Sequence, residues 1–132
     1  MIVMKREIKF RAKVKHHDPM INPENGWVEG YYLQDLTQGE MRSYIFNCPC
    51  YWEVIPETVG QFTGKKDYEG IEIYENDIVN VSCLNYTGTA EIKFIDGAFC
   101  IVGFGYFETL IGFDTDALRV IGNTHENSNL LK

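Results

Sequence analysis

The chain has 132 residues, the length of one ordinary domain, and folding removes roughly two thirds of the unfolded surface of such a chain from water. Apolar residues make up 45% of the sequence and charged residues 23%, which excludes a disordered or fibrous class. The net charge is −7 at pH 7, and the 8 Phe, 8 Tyr and 2 Trp favour strands, because aromatic rings suit pleated, half-buried surfaces.

The first ten residues carry no feature of an exported or membrane-inserted protein. They hold Lys5, Arg6, Glu7 and Lys9 where a signal peptide would need an apolar core. Elsewhere, no run approaches the roughly 18 to 20 consecutive apolar residues that a membrane span needs. We therefore expect a cytoplasmic protein with no membrane partner.

The charge is divided unevenly along the chain. Residues 1–15 hold six basic side chains and one acidic side chain, whereas the rest of the chain holds six basic and eighteen acidic ones. A segment of charge +5 is therefore followed by one of charge −12. Because an acidic body repels a polyanion, any nucleic-acid role would have to run through the first fifteen residues.

The first predicted strand lies in this basic segment. Apolar Ile8, Phe10, Ala12 and Val14 alternate with cationic residues, a period of two that predicts one buried and one charged face. The cationic residues, together called the cationic strand below, are Lys9, Arg11, Lys13 and Lys15.

Residues 27–33 and 43–46 are predicted to be the second and third strands of an N-terminal sheet. Residues 18–26 read as a loop because they contain two prolines, two asparagines and Gly26, and residues 35–42 are polar and turn-like. Residues 57–64 have two glycines and little periodicity, which favours a connecting segment.

From residue 71 the pattern becomes a series of short strands at close spacing, which is typical of a small barrel or sandwich. The predicted strands are residues 71–73, 77–84, 89–96, 98–104 and 118–122. Residues 106–118 could hold a turn or two of helix. Asp96-Gly97 is the strongest turn signal, because a type I′ turn needs positive φ at both central residues.

Counting outward from a two-residue turn at Asp96-Gly97 predicts the strand register. Phe94 should face Phe99, and Ile92 should face Ile101, so that these four residues form one apolar face. Cys100 should sit beside Lys93 on the opposite face.

The four cysteines are expected to be reduced thiols, since the sequence shows no export signal. Cys48 and Cys50 are separated by a single proline, whereas structural zinc sites usually pair cysteines about two to four residues apart. A four-cysteine site would also need Cys83 and Cys100, but Cys83 should point inward and Cys100 to the opposite face, so these two thiols do not converge. We assign no metal ligand.

Two other groups of polar residues are interpreted without a catalytic role. His16, His17 and His125 are too few for a metal site and read as solvated loop residues. Five acids crowd residues 67–77, and paired carboxylates could run hydrolysis or hold magnesium, but with Lys65 and Lys66 nearby we expect a solvated hairpin rim. These acids are Asp67, Glu69, Glu72, Glu75 and Asp77.

Four blocks of the chain together resemble the YopX family of small phage and prophage proteins. The first two are residues 6–12 (REIKFRA) and 26–32 (GWVEGYY). The most distinctive is 54–64 (VIPETVGQFTG), followed by 70–79 (GIEIYENDIV), and the closing block is 120–123 (VIGN) with Glu126-Asn127 and Leu130-Leu131.

Two positions depart from the family pattern. Asn76 stands where Gly is common, and Thr124-His125 replaces an apolar–aromatic pair; since Asn tolerates positive φ, the turn at Asn76 should survive.

The resemblance implies a phage or prophage origin, homo-oligomers and an SH3-like β-barrel in the C-terminal half. We therefore predict a mainly β protein with an N-terminal β region over residues 1–60 and an SH3-like barrel with a C-terminal tail over 61–132. The family brings no established catalytic residues, so no catalytic or cofactor-binding residue is assigned. The predicted function is that of a non-enzymatic accessory protein of the host bacterial cytoplasm, acting by protein–protein interaction and self-association.

The cationic strand leaves two further interpretations open beside a plain solvated face. It could pair with the acidic body of its own chain or of a neighbouring subunit, which the opposite charges favour. Alternatively, its four charges could neutralise about four phosphates, giving weak and salt-sensitive nucleic-acid binding.

Overall fold

The computed structural model describes residues 6–16, 25–83, 86–103 and 106–131. The chain divides into two compact units, Met1–Phe62 and Thr63–Lys132, called the N-terminal and C-terminal units below. No helix within the described ranges is long and apolar enough to cross a membrane. Of the loop predicted at residues 18–26, residues 18–24 lie outside the described residues, as does His17.

Regular structure in the described ranges consists of strands and short 3₁₀ helices. The strands are β1 (Phe10–Lys13), β2 (Trp27–Thr37), β3 (Glu40–Asn47), β4 (Cys50–Glu53), β5 (Gly60–Lys66), β6 (Glu72–Tyr74), β7 (Asp77–Cys83), β8 (Tyr86–Ile95), β9 (Ala98–Gly103), β10 (Tyr106–Thr109) and β11 (Leu118–Asn123). The 3₁₀ helices are Pro56–Thr58, Leu110–Gly112, Thr115–Ala117 and Ser128–Leu131.

The strands form two antiparallel sheets that are not closed into a barrel. The six-stranded sheet has the order β4-β3-β2-β1-β5-β6, and the five-stranded sheet has the order β10-β9-β8-β7-β11. The mainly β class is confirmed. The SH3-like barrel predicted for the C-terminal half is not confirmed, because β10 and β11 end the five-stranded sheet on opposite sides and do not pair.

The N-terminal unit is built on β1, which pairs with β2 on one side and with the start of β5 on the other. Ala12 and Val14 are buried as their alternation predicted, and they pack with Val28, Ile45 and Val54 in the core of this unit. The segment after β4 also returns to β1. Val54 bridges Val14, the Ile55 amide donates to the Lys13 carbonyl, and the Lys15 amide donates to the Glu53 carbonyl.

The β2–β3 hairpin is longer than its sequence indicated. Its tip consists of Gln38 and Gly39, both at positive φ, so that β2 and β3 occupy most of the polar segment 35–42. Alternation of apolar residues predicts a strand only where one of its faces is buried. The ends of β2 and β3 are exposed and largely polar, so this pattern does not extend to them. The predicted third strand is therefore present but begins earlier.

The β8–β9 hairpin confirms the predicted register. Asp96 and Gly97 both have positive φ, Phe94 faces Phe99, and Ile92 faces Ile101. Ile92 and Ile101 are fully buried in the core of the C-terminal unit. Cys100 faces Lys93 as expected, but it is buried rather than exposed on that side.

The core of the C-terminal unit draws on alternate residues of β7, β8, β9 and β11, as a sheet with one buried face requires. Leu110 and Phe113, from the segment after β10, close over it. Its buried members are Ile73, Val79, Val81, Ala90, Ile92, Ile101, Leu110, Phe113 and Leu118.

One local expectation was wrong. The segment 57–64, predicted to connect strands, contains most of a 3₁₀ helix and the start of β5, in which Gly60 and Phe62 are buried. A glycine at a buried strand position hides the period of two, because it carries no apolar side chain. The turn or two of helix allowed for residues 106–118 is present as the two 3₁₀ helices that follow β10.

Candidate interaction surface

The cationic strand is placed among carboxylates and aromatic rings of its own unit. The Lys9 Nζ lies 3.0 Å from an oxygen of Glu7 and 3.8 Å from one of Glu29. The same ammonium lies over the ring of Phe62, 5.3 Å from its centroid. This lysine is therefore partly neutralised within the chain.

Lys15 and Arg11 of the cationic strand also have side-chain partners in their own unit. The Lys15 Nζ lies 3.2 Å from an oxygen of Glu53, and the Arg11 guanidinium lies 5.3 Å from the ring centroid of Trp27. The backbone amide of Lys13 donates to the Thr58 hydroxyl over 2.8 Å. The four residues extend along β1 and its flanks as one face, with acidic side chains of neighbouring strands beside them.

The same side of the N-terminal sheet carries aromatic residues that sequence reasoning did not single out. Opposed residues on antiparallel strands share a face. Tyr31 of β2 is opposite Phe46 of β3, and Phe46 is opposite Tyr51 of β4, while Leu33 is opposite Tyr44 in the next row. The set is called the aromatic face below and consists of Tyr31, Leu33, Tyr44, Phe46 and Tyr51.

Most of the aromatic face is open to solvent. Tyr31 and Tyr51 are each 68% exposed, Leu33 is 56% exposed, and Phe46 is also exposed. Tyr44 and Tyr51 pack edge to face with ring centroids 6.0 Å apart, an arrangement that aromatic pairs favour. A contiguous group of large apolar side chains on a sheet surface is uncommon unless it contacts something.

Charged residues on the same side of the sheet occur as neighbouring pairs of opposite sign. Arg42 lies 3.5 Å from Glu40 and stands opposite Asp35 in the strand ladder. The pKa of the Arg42 guanidinium is raised above its ordinary value, mainly by a hydrogen bond with the Tyr44 side chain and then by the charges of Glu53 and Glu40. The surface thus combines an aromatic centre with a charge-paired border.

A shallow cavity of about 270 Å³ opens at one end of this surface. Tyr31, Phe46 and Cys48 contribute to its wall, together with the ion pair of Glu7 and Lys9. Gly30 is also part of the wall, and a Cβ at this position would collide with the Phe46 carbonyl oxygen. Only glycine therefore allows β2 and β3 to approach this closely.

The acids of residues 67–77 do not form the uniformly solvated rim that was expected. Asp67 and Asp77 are both 1% exposed. Asp67 accepts three backbone hydrogen bonds, and Asp77 accepts from the Tyr74 amide over 2.7 Å. These two carboxylates accept hydrogen bonds from backbone amides. The charge and spacing of acids in the sequence do not distinguish such buried acceptors from solvated acids.

The cysteines range from exposed to buried. Cys48 and Pro49 form the two-residue tip of the β3–β4 hairpin, with Cys50 opposite Asn47. Cys48 and Cys50 are exposed, Cys83 is half-buried, and Cys100 is buried. Within the described ranges, no group of three or more His, Cys, Asp or Glu side chains is placed to hold a metal ion.

The two histidines among the described residues, His16 and His125, are exposed. His16 follows β1, and the His125 amide donates to the Asn123 side-chain oxygen over 3.0 Å in the turn after β11. That turn also accommodates Thr124, whose amide donates to the Asn76 carbonyl over 2.9 Å. Asn76 itself adopts positive φ, so the turn predicted to survive there is present.

Comparison with known proteins identifies the family to which this chain belongs. The family model described as YopX protein matches residues 9–132. The chain therefore belongs to the YopX family. The comparison with curated proteins finds no match.

One solved structure gives the same fold assignment. The crystal structure of protein YopX from Bacillus subtilis superposes with a TM-score of 0.54 at 15% sequence identity. The match covers 97% of this chain and 100% of that chain. At this level of identity the likeness concerns the fold.

Proposed function

We propose that the protein is a non-enzymatic phage or prophage accessory factor that acts in the bacterial cytoplasm by protein–protein interaction, including self-association, through its aromatic face. The observation that carries the proposal is the row Tyr31–Phe46–Tyr51, which lies exposed across three adjacent strands. Exposed aromatic residues surrounded by a polar rim have the composition of protein interface centres.

The charges around the aromatic face support a protein partner. Lys9, Lys15 and Arg42 each have a carboxylate within 4 Å in their own unit. Paired charges of both signs suit the rim of a protein interface, whereas a polyanion requires an excess of free cations. The non-enzymatic part of the proposal is supported by the buried acids Asp67 and Asp77, which are engaged by backbone amides.

Sedimentation velocity at micromolar concentration tests the self-association. We expect the wild type to sediment as an oligomer and the double variant Tyr31→Ser/Tyr51→Ser to dissociate, with a dissociation constant raised at least about tenfold, because hot-spot aromatic residues dominate such interfaces. Tyr68→Ser is the matched control, since Tyr68 is 55% exposed in the C-terminal unit. A monomeric wild type, or equal dissociation in the control, contradicts the self-association.

A nucleic-acid role of the cationic strand is the second candidate. Arg11 over the ring of Trp27, on the same side of the sheet as exposed aromatic residues, is a combination that can stack bases and contact phosphates. Gel shift at low salt tests it with Lys9, Arg11, Lys13 and Lys15 all changed to Glu. Binding that is lost in this variant supports the candidate, and binding that persists excludes the cationic strand as the contact.

A further inference from the structure

Asn25 and Gly26 directly precede β2 and form the only asparagine–glycine pair in the sequence. Asn25 is exposed to solvent. Its side-chain Oδ1 accepts a hydrogen bond from the Trp27 amide over 3.0 Å. This bond closes an Asx turn, and the turn contains both the Asn25 side-chain carbon Cγ and the backbone nitrogen of Gly26.

The Asn25 Cγ and the Gly26 nitrogen can close a five-membered ring, because the chain between them supplies the other atoms of the ring. Intramolecular attack of this kind gains a large rate advantage from proximity. Gly26 has no Cβ that would hinder the approach of its nitrogen. Among the described residues, none accepts a hydrogen bond from the Gly26 amide. The nucleophile is therefore not held by the fold.

The Trp27 amide lies where the reaction needs a hydrogen-bond donor. When a nitrogen adds to Cγ of Asn25, negative charge collects on Oδ1, which is the atom that the Trp27 amide already contacts. A backbone N–H directed at a developing oxyanion stabilises the transition state. Three consecutive residues thus supply the electrophile, the nucleophile and the donor.

Asn127 provides a reference inside the same chain. Its Oδ1 also accepts from a backbone amide, that of Asn123, over 3.2 Å. The residue that follows it is Ser128, which carries a Cβ and begins a 3₁₀ helix. The Asn127 amide is also crowded against Gly122, where an added Cβ would lie 2.8 Å from the Asn127 Cγ. An Oδ1 contact alone is therefore not expected to make this side chain reactive.

We propose that Asn25 is a site of intramolecular deamidation in the native protein. Hydroxide removes the Gly26 amide proton, and the nitrogen attacks Cγ of Asn25. The bond from Cγ to the side-chain amino group breaks, and ammonia leaves after taking a proton from water. Water then opens the resulting succinimide at either carbonyl, which gives aspartate or isoaspartate. The steps consume one water and release one ammonia, and they need no oxidant or cofactor.

Both products place a new carboxylate at the end of the cationic strand. Lys13 is opposite Trp27 in the β1–β2 ladder. The same register, continued by two residues, sets Asn25 against Lys15. Deamidation adds one negative charge to the net charge of −7, giving −8. The modification therefore lowers the positive charge of this face without any other enzyme.

The isoaspartate product also changes the main chain. Its backbone runs through the former side chain and is longer by one carbon between positions 25 and 26. The Gly26 carbonyl, which follows directly, accepts from the Val14 amide over 2.9 Å and holds the end of the β1–β2 ladder. We expect isoaspartate to loosen this end, whereas aspartate leaves the main chain unchanged.

Incubation of the native full-length protein at mildly alkaline pH tests the site. Digestion at acidic pH and mass spectrometry of the peptides then measure the exchange of the amide NH₂ for OH. We expect Asn25 to react at least about tenfold faster than Asn127, because only Asn25 combines proximity with an unhindered nucleophile. The rate should rise about tenfold for each pH unit, since hydroxide supplies the deprotonated amide.

Two variants separate the chemistry from its consequences. Asn25→Gln is the matched control, because its longer side chain would have to close a six-membered ring, and it should keep its amide. Asn25→Asp carries the charge of the product on a normal main chain. On ion exchange, aged wild type should yield a species that elutes with Asn25→Asp. The isoaspartate species should unfold at a lower urea concentration than Asn25→Asp.

Comparison with the chain unfolded in urea tests the part played by the fold. A native rate equal to or above the rate in urea supports the proposal, because the Trp27 donor is present only in the turn. A native rate below the rate in urea, a rate at Asn25 no higher than at Asn127, or equal reaction in Asn25→Gln contradicts it. None of these results involves the aromatic face, so failure here leaves the proposed function standing.

Discussion

The buried carboxylate of Asp67 ties together backbone amides from two parts of the C-terminal unit. One oxygen accepts from the amides of Glu69 and Ile71, each over 2.9 Å, and the other accepts from the Val120 amide over 3.0 Å. The first two bonds close the turn after β5, and the third fixes β11 beside it. A buried charged acceptor with three donors is costly to remove, because the donors are left without partners.

Asp67→Ala should therefore lower the free energy of unfolding by about 3 kcal/mol or more. Urea denaturation measures the change. The control is Glu69→Ala, which removes the exposed ion pair between Glu69 and Arg119 and should cost less than about 1 kcal/mol. Equal losses in the two variants would show that the buried hydrogen bonds add nothing beyond surface charge.

Asn76 offers a second test at the scale of one residue. Its φ is +75°, a conformation that costs most L-residues about 1 to 2 kcal/mol and Asn less. We expect Asn76→Ala to lower the thermal midpoint and Asn76→Gly to leave it unchanged or raise it slightly. Calorimetry of the three proteins distinguishes them, and an Ala variant as stable as the Gly variant contradicts the assigned backbone conformation.

Among the structural elements, the β2–β3 ladder depends on the close approach of its strands at Gly30. A Cβ at this position would collide with the Phe46 carbonyl, whereas a Cβ at Gly39 in the hairpin tip meets nothing within 4 Å. Both glycines have positive φ. A comparison of alanine variants at the two positions therefore separates the cost of crowding from the cost of backbone strain.

Gly30→Ala should destabilise the protein by about 3 kcal/mol, since crowding adds to strain, and Gly39→Ala by about 1 kcal/mol. Urea denaturation again measures both. If Gly39→Ala proves as damaging as Gly30→Ala, the close approach of β2 and β3 is not a determinant of stability.

Elements with an unambiguous local signal could be predicted from the sequence. Asp96-Gly97 supplied both the turn and the register of β8 and β9, and alternation around Ala12 and Val14 identified the buried side of β1. The start of β5 could not be predicted, because Gly60 occupies a buried position without an apolar side chain. Sheet closure depends on pairing between distant strands, which local pattern does not encode.

The candidate surface was predictable only in part for the same reason. The cationic strand is contiguous in sequence, so its common face followed from alternation. The aromatic face joins Tyr31, Phe46 and Tyr51 from three strands, and it appears only when the registers of two hairpins are known. The burial of Asp67 likewise depends on Val120, which is fifty-three positions away.

Across the whole molecule, the accessibility of the thiols distinguishes surface from core. Cys48 and Cys50 are exposed, whereas Cys100 is buried. Because thiol reactivity requires access, an aromatic disulfide reagent should modify Cys48 and Cys50 rapidly in the native protein and Cys100 only after denaturation. Mass spectrometry of the peptides identifies the sites. Rapid native labelling of Cys100 would contradict the position of β9 in the sheet.

In the proposed association, the aromatic face is the surface that should lose the most solvent exposure. Hydroxyl-radical footprinting, read by mass spectrometry at concentrations below and above the association range, compares its tyrosines directly with another exposed tyrosine, Tyr68. Tyr31 and Tyr51 should lose reactivity several-fold at high concentration because bound neighbours exclude the radical, while Tyr68 should react equally throughout. Constant reactivity of Tyr31 and Tyr51 in a protein that does associate, or protection of Tyr68 in their place, would contradict the account.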